Sequence, residues 1–356
     1  MSELDDSTED APGYELWPDE DLNAVPECPV CGCTERVPVY RHLEDKVFGV
    51  APGRWDLFRC SRCNSVWLDP RPSPESLGRA YQDYFTHSTT DQPIVRRIGL
   101  LRSFFHDALN DYLNARYGLE KEPTLPLGRW LVAVLPPLRA AADTRCRQLP
   151  KLPAKGGRLL DIGFGNGGFL KLAEEIGWTA EGIDFDKAAV ETAQSRGLSV
   201  RHANVADLHA EGEQFDVITL SHVIEHVQEP IQLLQQAFAM LNPGGTLWCE
   251  TPNLCARGHA RFGRYWRDLD PPRHLVLFER NTLIEQLVTV GFAEVKQHWH
   301  GLSAFTVYSA SNGIQSGQTG TSVRGPWYML RALGAELMQM ISPARREFIT
   351  VSAIKR

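Results

Sequence analysis

The sequence predicts an α/β protein built on a doubly wound, Rossmann-like sheet, with a small cysteine-containing module and a helical insertion before it. Strand-like apolar segments alternate with helical segments between residues 158 and 298. A glycine-rich loop, "GFGNGG", directly follows the first of these strands, and two Cys-x-x-Cys pairs stand far upstream. Alternating strands and helices are typical of a mostly parallel sheet that is covered by helices on both faces.

The first element is an acidic tail. Residues 1–27 hold ten acidic groups and no Lys or Arg, so the rest of this chain of net charge −7 carries +3. We expect residues 1–25 to be a solvated, poorly ordered tail. No apolar run reaches the length of a membrane span, and "MSELDDSTED" lacks the basic and apolar regions of a secretory signal. We therefore expect a cytoplasmic protein without a membrane partner.

The second element is a metal-binding module at residues 26–70. Cys28 and Cys31 form one Cys-x-x-Cys pair, and Cys60 and Cys63 form the other. Each pair brings two thiolates toward one cation, and two pairs complete a tetrahedral four-thiolate site. The pattern predicts a zinc ribbon with a structural zinc ion, since all four ligand positions are filled by protein. Four unliganded thiols are the alternative, and Cys33 is a possible substitute ligand.

The third element is a helical region at residues 71–154. Apolar residues recur with a helical period over 94–117, and a second helical stretch interrupted by two prolines leads to residue 149. Such a region is either scaffold or a lid over an active site.

The fourth element is the sheet domain, residues 155–356. We predict strands at 158–162, 180–185, 198–202, 215–220, 246–250 and 293–298, with helices starting near 167, 187, 230 and 281. A helix in "YMLRALGAELMQMI" and a final strand that pairs with 293–298 complete the domain.

A metal-peptidase motif occurs by spacing alone in this domain. His222, Glu225 and His226 follow the H-x-x-E-H pattern of a class of zinc peptidases. That chemistry needs both histidines on one face of a helix. A β-branched strand precedes the motif and Pro230 follows it, so we predict a strand-to-helix turn and no peptidase site.

The glycine-rich loop predicts a cofactor site. Its G-x-G-x-x-G spacing suits a dinucleotide, with Asp184 at the end of the second strand placed to bind a ribose. Asp161, however, would repel a pyrophosphate and would suit a ligand that carries an ammonium and a sulfonium. S-adenosylmethionine is such a ligand.

Five ordered segments carry a family resemblance: "LLDIGFGNG", "AEGIDFD", "FDVITLSHVIEHV", "LNPGGTLWCETPN" and "GF" at Gly291. Over about residues 157–300 the chain resembles class I S-adenosylmethionine-dependent methyltransferases. The similarity is to their small-molecule branch, which includes ubiquinone-pathway and deoxysugar methyltransferases. The V-I-E-H-V segment of that branch follows the fourth strand as an active-site loop.

The resemblance implies a role for each motif residue. Asp161, Gly163, Gly165 and Gly167 would hold the methionine part of the cofactor, Asp184 the ribose and Phe185 the adenine. Asn204 stands where the family usually has an adenine-contacting Asp, and Asp207 is the nearby carboxylate. Ser221 and His222 would border the methyl group. We assign His226 as the general base with Glu225 orienting it, and His274 as the second candidate.

The methyl acceptor is predicted from a basic and aromatic segment, "ARGHARFGRYWRDLDPPRHL". Its arginines suit a phosphate or carboxylate on a small acceptor, such as a sugar, nucleotide sugar, polyketide or cell-envelope glycan precursor.

Basic residues among aromatics also bind RNA, which makes a ribosomal RNA methyltransferase an alternative, although the nearly neutral body disfavours nucleic acid. A third alternative is a zinc-ribbon binding module on a non-catalytic methyltransferase fold. The four-cysteine module also resembles that of deoxysugar C-methyltransferases, but the short C-terminal part makes O-methylation equally expected.

Overall fold

A computed structural model describes residues 16–81, 100–317 and 326–356. The strands in this part of the chain are β1 (Leu22–Asn23), β2 (Arg36–Leu43), β3 (Trp55–Cys60), β4 (Val66–Leu68), β5 (Arg71–Pro72), β6 (Arg158–Ile162), β7 (Thr179–Asp184), β8 (Val200–His202), β9 (Phe215–Ser221), β10 (Leu241–Pro252), β11 (Val276–Leu277), β12 (Phe292–His298) and β13 (Phe348–Lys355).

The α-helices in the same ranges are α1 (Leu100–Tyr117), α2 (Gly128–Val134), α3 (Pro136–Arg145), α4 (Gly168–Ile176), α5 (Lys187–Ser195), α6 (Val205–Glu211), α7 (Pro230–Met240), α8 (Arg257–Phe262), α9 (Arg280–Val290), α10 (Ser303–Gln315) and α11 (Pro326–Ile341). None of these helices is long and apolar enough to cross a membrane.

The main sheet is doubly wound, as predicted. Seven strands of the described chain lie in the order β12-β13-β10-β9-β6-β7-β8. Strands β8, β7, β6, β9 and β10 run parallel, and β13 is antiparallel to both β10 and β12. The carboxyl ends of β6, β7 and β9 meet where the strand order reverses, which is where open α/β sheets bind ligands. The six predicted strands are confirmed, with shifts of one to several residues at their ends.

The N-terminal module is not a separate sheet. Its strands β2, β3 and β4 are joined by β11, whose two residues come from the sheet domain and pair with Val66 and Trp67. Sequence pattern did not predict this strand, because a two-residue segment has no measurable periodicity.

Ordered structure begins closer to the N-terminus than predicted for the acidic tail. Trp17 is buried, and its ring lies 5.6 Å from that of Trp55 in an edge-to-face contact. Residues 22–23 pair with residues 71–72 as β1 and β5. The prediction of a poorly ordered segment up to residue 25 therefore fails from Trp17 onward, since one buried tryptophan outweighs the surrounding charge. Residues 1–15 lie outside the described ranges.

Helices α1 to α3 pack against the sheet domain. Tyr112, Leu113 and Val132 share one apolar core with Leu159 of β6 and Leu170 of α4. This continuous packing supports a scaffold role for residues 100–145. The predicted helical residues 94–99 lie outside the described chain.

A fully buried guanidinium joins the module to the sheet domain. Arg273 donates to both carboxylate oxygens of Asp45, at 2.5 and 3.0 Å, and to both of Asp270, at 2.6 to 3.1 Å. It also donates to the carbonyl of Ala80 at 3.0 Å and lies 4.5 Å from the ring centre of Phe48. A buried cation is stable only with such a complete set of partners.

Replacing Arg273 is expected to destabilise the protein strongly. Arg273→Ala leaves two buried carboxylates unpaired, which typically costs about 3–5 kcal/mol of unfolding free energy. Denaturant unfolding followed by circular dichroism measures the loss. The control is Arg264→Ala, since Arg264 is exposed and makes only 3.5 Å contacts with two carbonyls. Equal stability of the two variants would contradict the role given to Arg273.

Candidate active site

The four predicted cysteines form one cluster. The sulfur atoms of Cys28 and Cys63 are 3.6 Å apart, those of Cys31 and Cys60 are 3.5 Å apart, and all four lie within 4.8 Å of one another. Four thiolates bound to zinc at about 2.3 Å stand roughly 3.8 Å apart in a tetrahedron. The donor set therefore fits a zinc ion. Cys33 is not part of it, because its sulfur faces the carbonyl of Glu35 at 3.8 Å.

Local backbone bonds shape this cluster. The amides of Arg62 and Cys63 point at the sulfur of Cys60, at 3.4 and 3.5 Å. Gly32 has φ +68° and donates to the carbonyl of Cys28 at 2.8 Å, which closes a tight turn around the first cysteine pair.

The glycine loop lies at the carboxyl end of β6. Gly163 and Gly167 have positive φ, and a Cβ on them would come within 2.6 Å of Val223 and 2.4 Å of Leu198. Only glycine fits at these two positions. The loop therefore leaves its backbone close to the turn after β9 and to the segment between α5 and β8, where a ligand above the sheet would contact it.

Asp161 has a partner that the sequence did not reveal. Its carboxylate is fully buried, forms an ion pair with Arg147 and accepts from the hydroxyl of Thr219 at 2.8 Å. Burial raises the pKa of Asp161, and Arg147 opposes that rise. The guanidinium of Arg147 also lies 3.8 Å from the ring centre of Phe169. Direct contact of Asp161 with a cofactor, which remains a prediction, would require Arg147 to move aside.

Asp184 and Phe185 lie next to the glycine loop. An oxygen of Asp184 accepts from the amide of Asp186 at 2.9 Å. Burial raises the pKa of Asp184, and hydrogen bonds from the amides of Asp186 and Gly165 limit the rise. The ring of Phe185 is 59% exposed, and its edge-to-face partner is Tyr81 at 5.5 Å.

Asn204 and Asp207 form a capping box at the start of α6. The oxygen of Asn204 accepts from the amide of Asp207 at 2.9 Å, and the carboxylate of Asp207 accepts from the amide of Asn204 at 3.2 Å. Both residues are exposed. Of the Asn204 side chain, the amide nitrogen is the group left to meet an adenine.

The H-x-x-E-H segment is a turn, as predicted, and not a helix. Residues 222–229 connect β9 to α7, and His222 has a left-handed φ of 54°. The two histidines therefore do not share a helical face, and a peptidase-type zinc site is not formed.

His222 lies between two buried carboxylates. Its Nδ1 is 3.2 Å from Glu225 and its Nε2 is 3.4 Å from Glu250. Burial would lower the pKa of His222, but hydrogen bonds to Glu225 and Glu250 outweigh it and raise the pKa to about 10. Glu250 also accepts from His300 at 3.0 Å and Thr350 at 2.6 Å. His222 is therefore a cation at neutral pH and cannot act as a base.

His226 and His274 face each other as neutral imidazoles. Their ring centres are 4.7 Å apart in an edge-to-face arrangement. Nδ1 of His226 donates to the carbonyl of Arg273 at 3.0 Å, and Nδ1 of His274 donates to the carbonyl of Asp268 at 2.7 Å. Burial lowers both pKa values, that of His274 to about 4. Each ring thus keeps an Nε2 lone pair free to accept a proton.

Glu225 does not orient His226 in the way we predicted. Its oxygens are bonded to Nδ1 of His222 at 3.2 Å and to the hydroxyl of Thr251 at 2.9 Å. The Arg273 carbonyl and the Tyr81 hydroxyl, both 3.0 Å from Nδ1 of His226, hold the ring instead. The prediction failed because both carboxylate oxygens of Glu225 are already bonded, one to His222 and the other to Thr251.

The same three groups have the spacing of metal ligands. One atom from each of Glu225, His226 and His274 lies within 4.8 Å of the others. The carbonyl bonds at both Nδ1 atoms are the kind that orients histidine ligands. Proton transfer and divalent-metal binding are thus the two kinds of chemistry that this trio supports.

The basic segment 256–275 is divided among separate sites. Arg273 is buried in the module contact, and Phe262, Trp266 and His274 are also buried. His259 bonds to the hydroxyl of Tyr40 at 2.8 Å. Arg257 and Arg261 line a separate groove. Among the aromatic residues of the segment, Phe262 and Trp266 are buried and Tyr265 is half-buried.

Four residues of the site were not predicted from the sequence: Tyr81, Arg147, Glu250 and His300. Tyr81 and Arg147 lie in the region predicted as linker, and only the folded chain brings them to the carboxyl edge of the sheet. Glu250 gave a usable signal, because a carboxylate at the end of the buried strand β10 requires partners.

Comparisons with known proteins agree with the fold. A family model described as "Methyltransferase domain" matches residues 137–297. The ubiquinone biosynthesis O-methyltransferase of Roseobacter denitrificans is 38% identical over 107 residues, 28% of this chain and 43% of that protein. A probable S-adenosylmethionine-dependent methyltransferase of Mycolicibacterium smegmatis is 32% identical over 100 residues, 28% of this chain and 39% of that protein.

Among solved structures, a SAM-dependent methyltransferase from Archaeoglobus fulgidus covers 61% of this chain and 93% of its own, with 20% identity and a TM-score of 0.43. The chain spans less than half the length of the curated relatives named above.

The family match and the sheet coincide along the chain. Residues 137–297, which hold most strands of the doubly wound sheet, match a family model described as a methyltransferase domain, and a four-cysteine cluster precedes them. The proteins that it resembles include several ubiquinone biosynthesis O-methyltransferases.

The pKa values of the histidines at this site are expected to differ widely. In an NMR titration of the side-chain nitrogens, His222 stays protonated through neutral pH, toward about 10, and His274 stays neutral down to about 4. Glu225→Gln weakens one of the contacts that hold the proton, so it lowers the pKa of His222. The pKa of His222 in the folded state is raised above its ordinary value of 6.5. Protonated His222 therefore stabilises the fold fully below pH 6.5, and this stabilisation is lost as the pH rises toward 10.

Thr251→Val is the control for this titration, because Thr251 bonds to Glu225 but not to His222. Titration of His222 at its ordinary value in the unmodified protein would contradict the assignment.

Proposed function

We propose that the protein transfers a methyl group from S-adenosylmethionine to a hydroxyl, or to an activated carbon, of a small molecule. The observation that carries this proposal is the continuous contact between the two halves of the site. Phe185, beside the cofactor loop, touches Tyr81, and Tyr81 bonds to His226, which faces His274. This contact supports a general base beside the loop that would hold a methyl donor.

The cofactor would be held by the loop at Gly163, Gly165 and Gly167, with Asp184 accepting from the ribose hydroxyls and Phe185 against the adenine. When bound, S-adenosylmethionine supplies an electrophilic methyl group on a sulfonium. Asp184 suits its role because its carboxylate lies at the end of β7 and keeps lone pairs beyond its two amide bonds. Ser221 and His222, at the end of β9, would border the methyl group.

The acceptor must lose a proton as it is methylated. Nε2 of His226 is suited to take it, since the ring is neutral and its Nδ1 proton is fixed on a carbonyl. His274 is the second candidate for the same reasons. Most of the rate enhancement would come from alignment of acceptor and methyl group, which the rigid turn at residues 222–229 favours.

The acceptor class that we propose is a sugar, nucleotide sugar, polyketide or cell-envelope glycan precursor, methylated on oxygen or carbon. The burial of Phe262, Trp266, Arg273 and His274 weakens the RNA alternative. A non-catalytic methyltransferase fold is also disfavoured, because the buried His274 and the half-buried His226 have lowered pKa values and lie together, which is typical of functional sites.

A structural zinc ion in the module completes the proposal. The four cysteine sulfurs fit a closed tetrahedral site, which leaves no open position for catalysis. Zinc would act on the reaction indirectly, by holding the module against residues 268–277.

The zinc site predicts one equivalent of metal. Protein purified without chelator should contain one zinc ion per chain by elemental analysis, and Cys28→Ser with Cys31→Ser should lose it. Cys33→Ser is the control and should keep the metal, because its sulfur lies outside the cluster. Absence of stoichiometric metal, or its loss in Cys33→Ser, would refute the assignment.

Cofactor binding is tested at Asp184. Asp184→Ala should weaken binding of S-adenosylhomocysteine in calorimetry by on the order of 10- to 100-fold, since charge-assisted bonds contribute roughly 1.5–3 kcal/mol each. Glu191→Ala, which removes an exposed carboxylate on α5, should bind normally. Unchanged affinity in Asp184→Ala would show that the ribose lies elsewhere.

Methyl transfer itself is tested with labelled S-adenosylmethionine and a panel of nucleotide sugars, glycan precursors and phenolic acceptors. On the acceptor so found, His226→Ala should lower the single-turnover rate about 10²- to 10⁴-fold and leave cofactor affinity unchanged. His209→Ala, at an exposed position of α6, serves as the control. Because burial lowers the pKa of His226, the acid limb of the pH–rate profile should fall below pH 6.5.

Three results would change this proposal. A larger loss in His274→Ala than in His226→Ala would transfer the base to His274. A rate that depends strictly on an added divalent cation would assign the trio of Glu225, His226 and His274 to metal binding. No transfer to any acceptor by a protein that binds S-adenosylhomocysteine would favour the non-catalytic alternative.

A further inference from the structure

Helix α11 presents a continuous apolar stripe to solvent. Ile341 is 74% exposed and Leu330 is 61% exposed. The stripe follows the helical period and consists of Met329, Leu330, Leu333, Leu337, Met340 and Ile341. An exposed row of six large apolar side chains on one helix face marks an interaction surface.

The inward face of α11 is polar and fixes the rotation of the helix. Glu336 is buried and accepts from the amides of Leu302 and Ala304, at 2.6 and 3.2 Å, at the start of α10. Gln339 is also buried and accepts from the amide of Glu347 at 3.2 Å. These bonds hold the polar face inward, so the apolar stripe cannot turn into the core.

A groove rich in arginine borders the stripe. It has a volume of about 470 Å³ and lies between α8, α10 and α11. Arg331 and Met338 line it from α11, Arg257 and Arg261 from α8, and Arg345 from the turn before β13. Four guanidinium groups thus converge beside exposed apolar side chains.

These arginines have no acidic partner within the described residues. None of the four lies within 4.0 Å of a carboxylate there, although many other arginines of the chain form such pairs. The Nε of Arg257 is buried without a hydrogen-bond partner in the same part of the structure. A cluster of unneutralised guanidiniums around a cavity is complementary to phosphate groups.

We propose that α11 binds the surface of an anionic phospholipid bilayer. The stripe would enter the boundary between headgroups and acyl chains, and the groove arginines would pair with lipid phosphates. Helices that bind membranes in this way combine an apolar face with flanking Lys or Arg. Our expectation of no membrane partner rested on the lack of a membrane-spanning segment, which such a helix does not need.

Charge favours a lipid over a second copy of the chain. A symmetric dimer through this stripe would place the same surface on both sides of the contact. That surface carries four arginines, and the one carboxylate of α11, Glu336, is buried and already bonded. The dimer would bring like charges together without a counter-charge, whereas anionic lipid supplies one.

Vesicle co-sedimentation with the full chain tests this inference, which does not depend on methyl transfer. The protein should bind phosphatidylcholine vesicles that contain phosphatidylglycerol far better than pure phosphatidylcholine vesicles, and added salt should weaken the binding. Leu333→Ser with Leu337→Ser should reduce binding at least tenfold. Arg331→Gln with Arg345→Gln should reduce it about 25-fold, at about fivefold per arginine.

Val288→Ser is the matched control, because Val288 is an exposed apolar residue on α9, away from the groove. It should bind as the unmodified protein does, and circular dichroism should show that every variant is folded.

Absence of binding to anionic vesicles would overturn the inference. If sedimentation velocity instead showed a dimer that Leu333→Ser with Leu337→Ser dissociates, the stripe would be an interface between copies. Binding of inorganic phosphate without vesicle binding would make the groove a site for a soluble anion.

Discussion

The acceptor side of the site depends on one buried cation. Arg273 is fully removed from water, and its stability requires Asp45 from the N-terminal module and Asp270 from the sheet domain at the same time. The carbonyl of this residue holds His226, and the next residue is His274. The positions of both imidazoles are thus tied to the docking of a module that begins more than 200 residues earlier. Strand β11, which follows directly, adds backbone pairing to the same contact.

Electrostatics divides the three histidines of the site into two kinds. His222 lies between Glu225 and Glu250 and is held as a cation, which balances charge in the buried network. Removal from water lowers the pKa values of His226 and His274, and this effect outweighs the opposing charges of Glu225 and Asp270, so both rings stay neutral. One short segment therefore carries both a fixed charge and a proton acceptor. Pairs of groups whose environments push their pKa values apart are the usual arrangement for acid–base chemistry.

Much of this protein can be predicted from its sequence, because the main signals are local. The period of the apolar residues in β6, β7 and β9, the glycines that must adopt positive φ, and the two cysteine pairs each act over a few residues. What could not be predicted depends on contacts distant in sequence. The pairing of Arg147 with Asp161, the bond of Tyr81 to His226 and the contact of Glu250 with His222 all arise from tertiary packing. The prediction that segment 256–275 forms one basic site was wrong for the same reason, since its composition does not show which arginines are buried.

We propose that the module and the proposed acceptor site form one cooperative unit. Hydrogen–deuterium exchange of Asp45→Ala, compared with Glu44→Ala, tests it most directly. Asp45 contacts Arg273, whereas Glu44 contacts only Lys46 among the described residues, at 4.0 Å. We expect Asp45→Ala to raise exchange in residues 222–227 and 268–277 while β6 and β7 stay protected, and Glu44→Ala to change neither. Faster exchange confined to residues 43–53 in Asp45→Ala would contradict the claim.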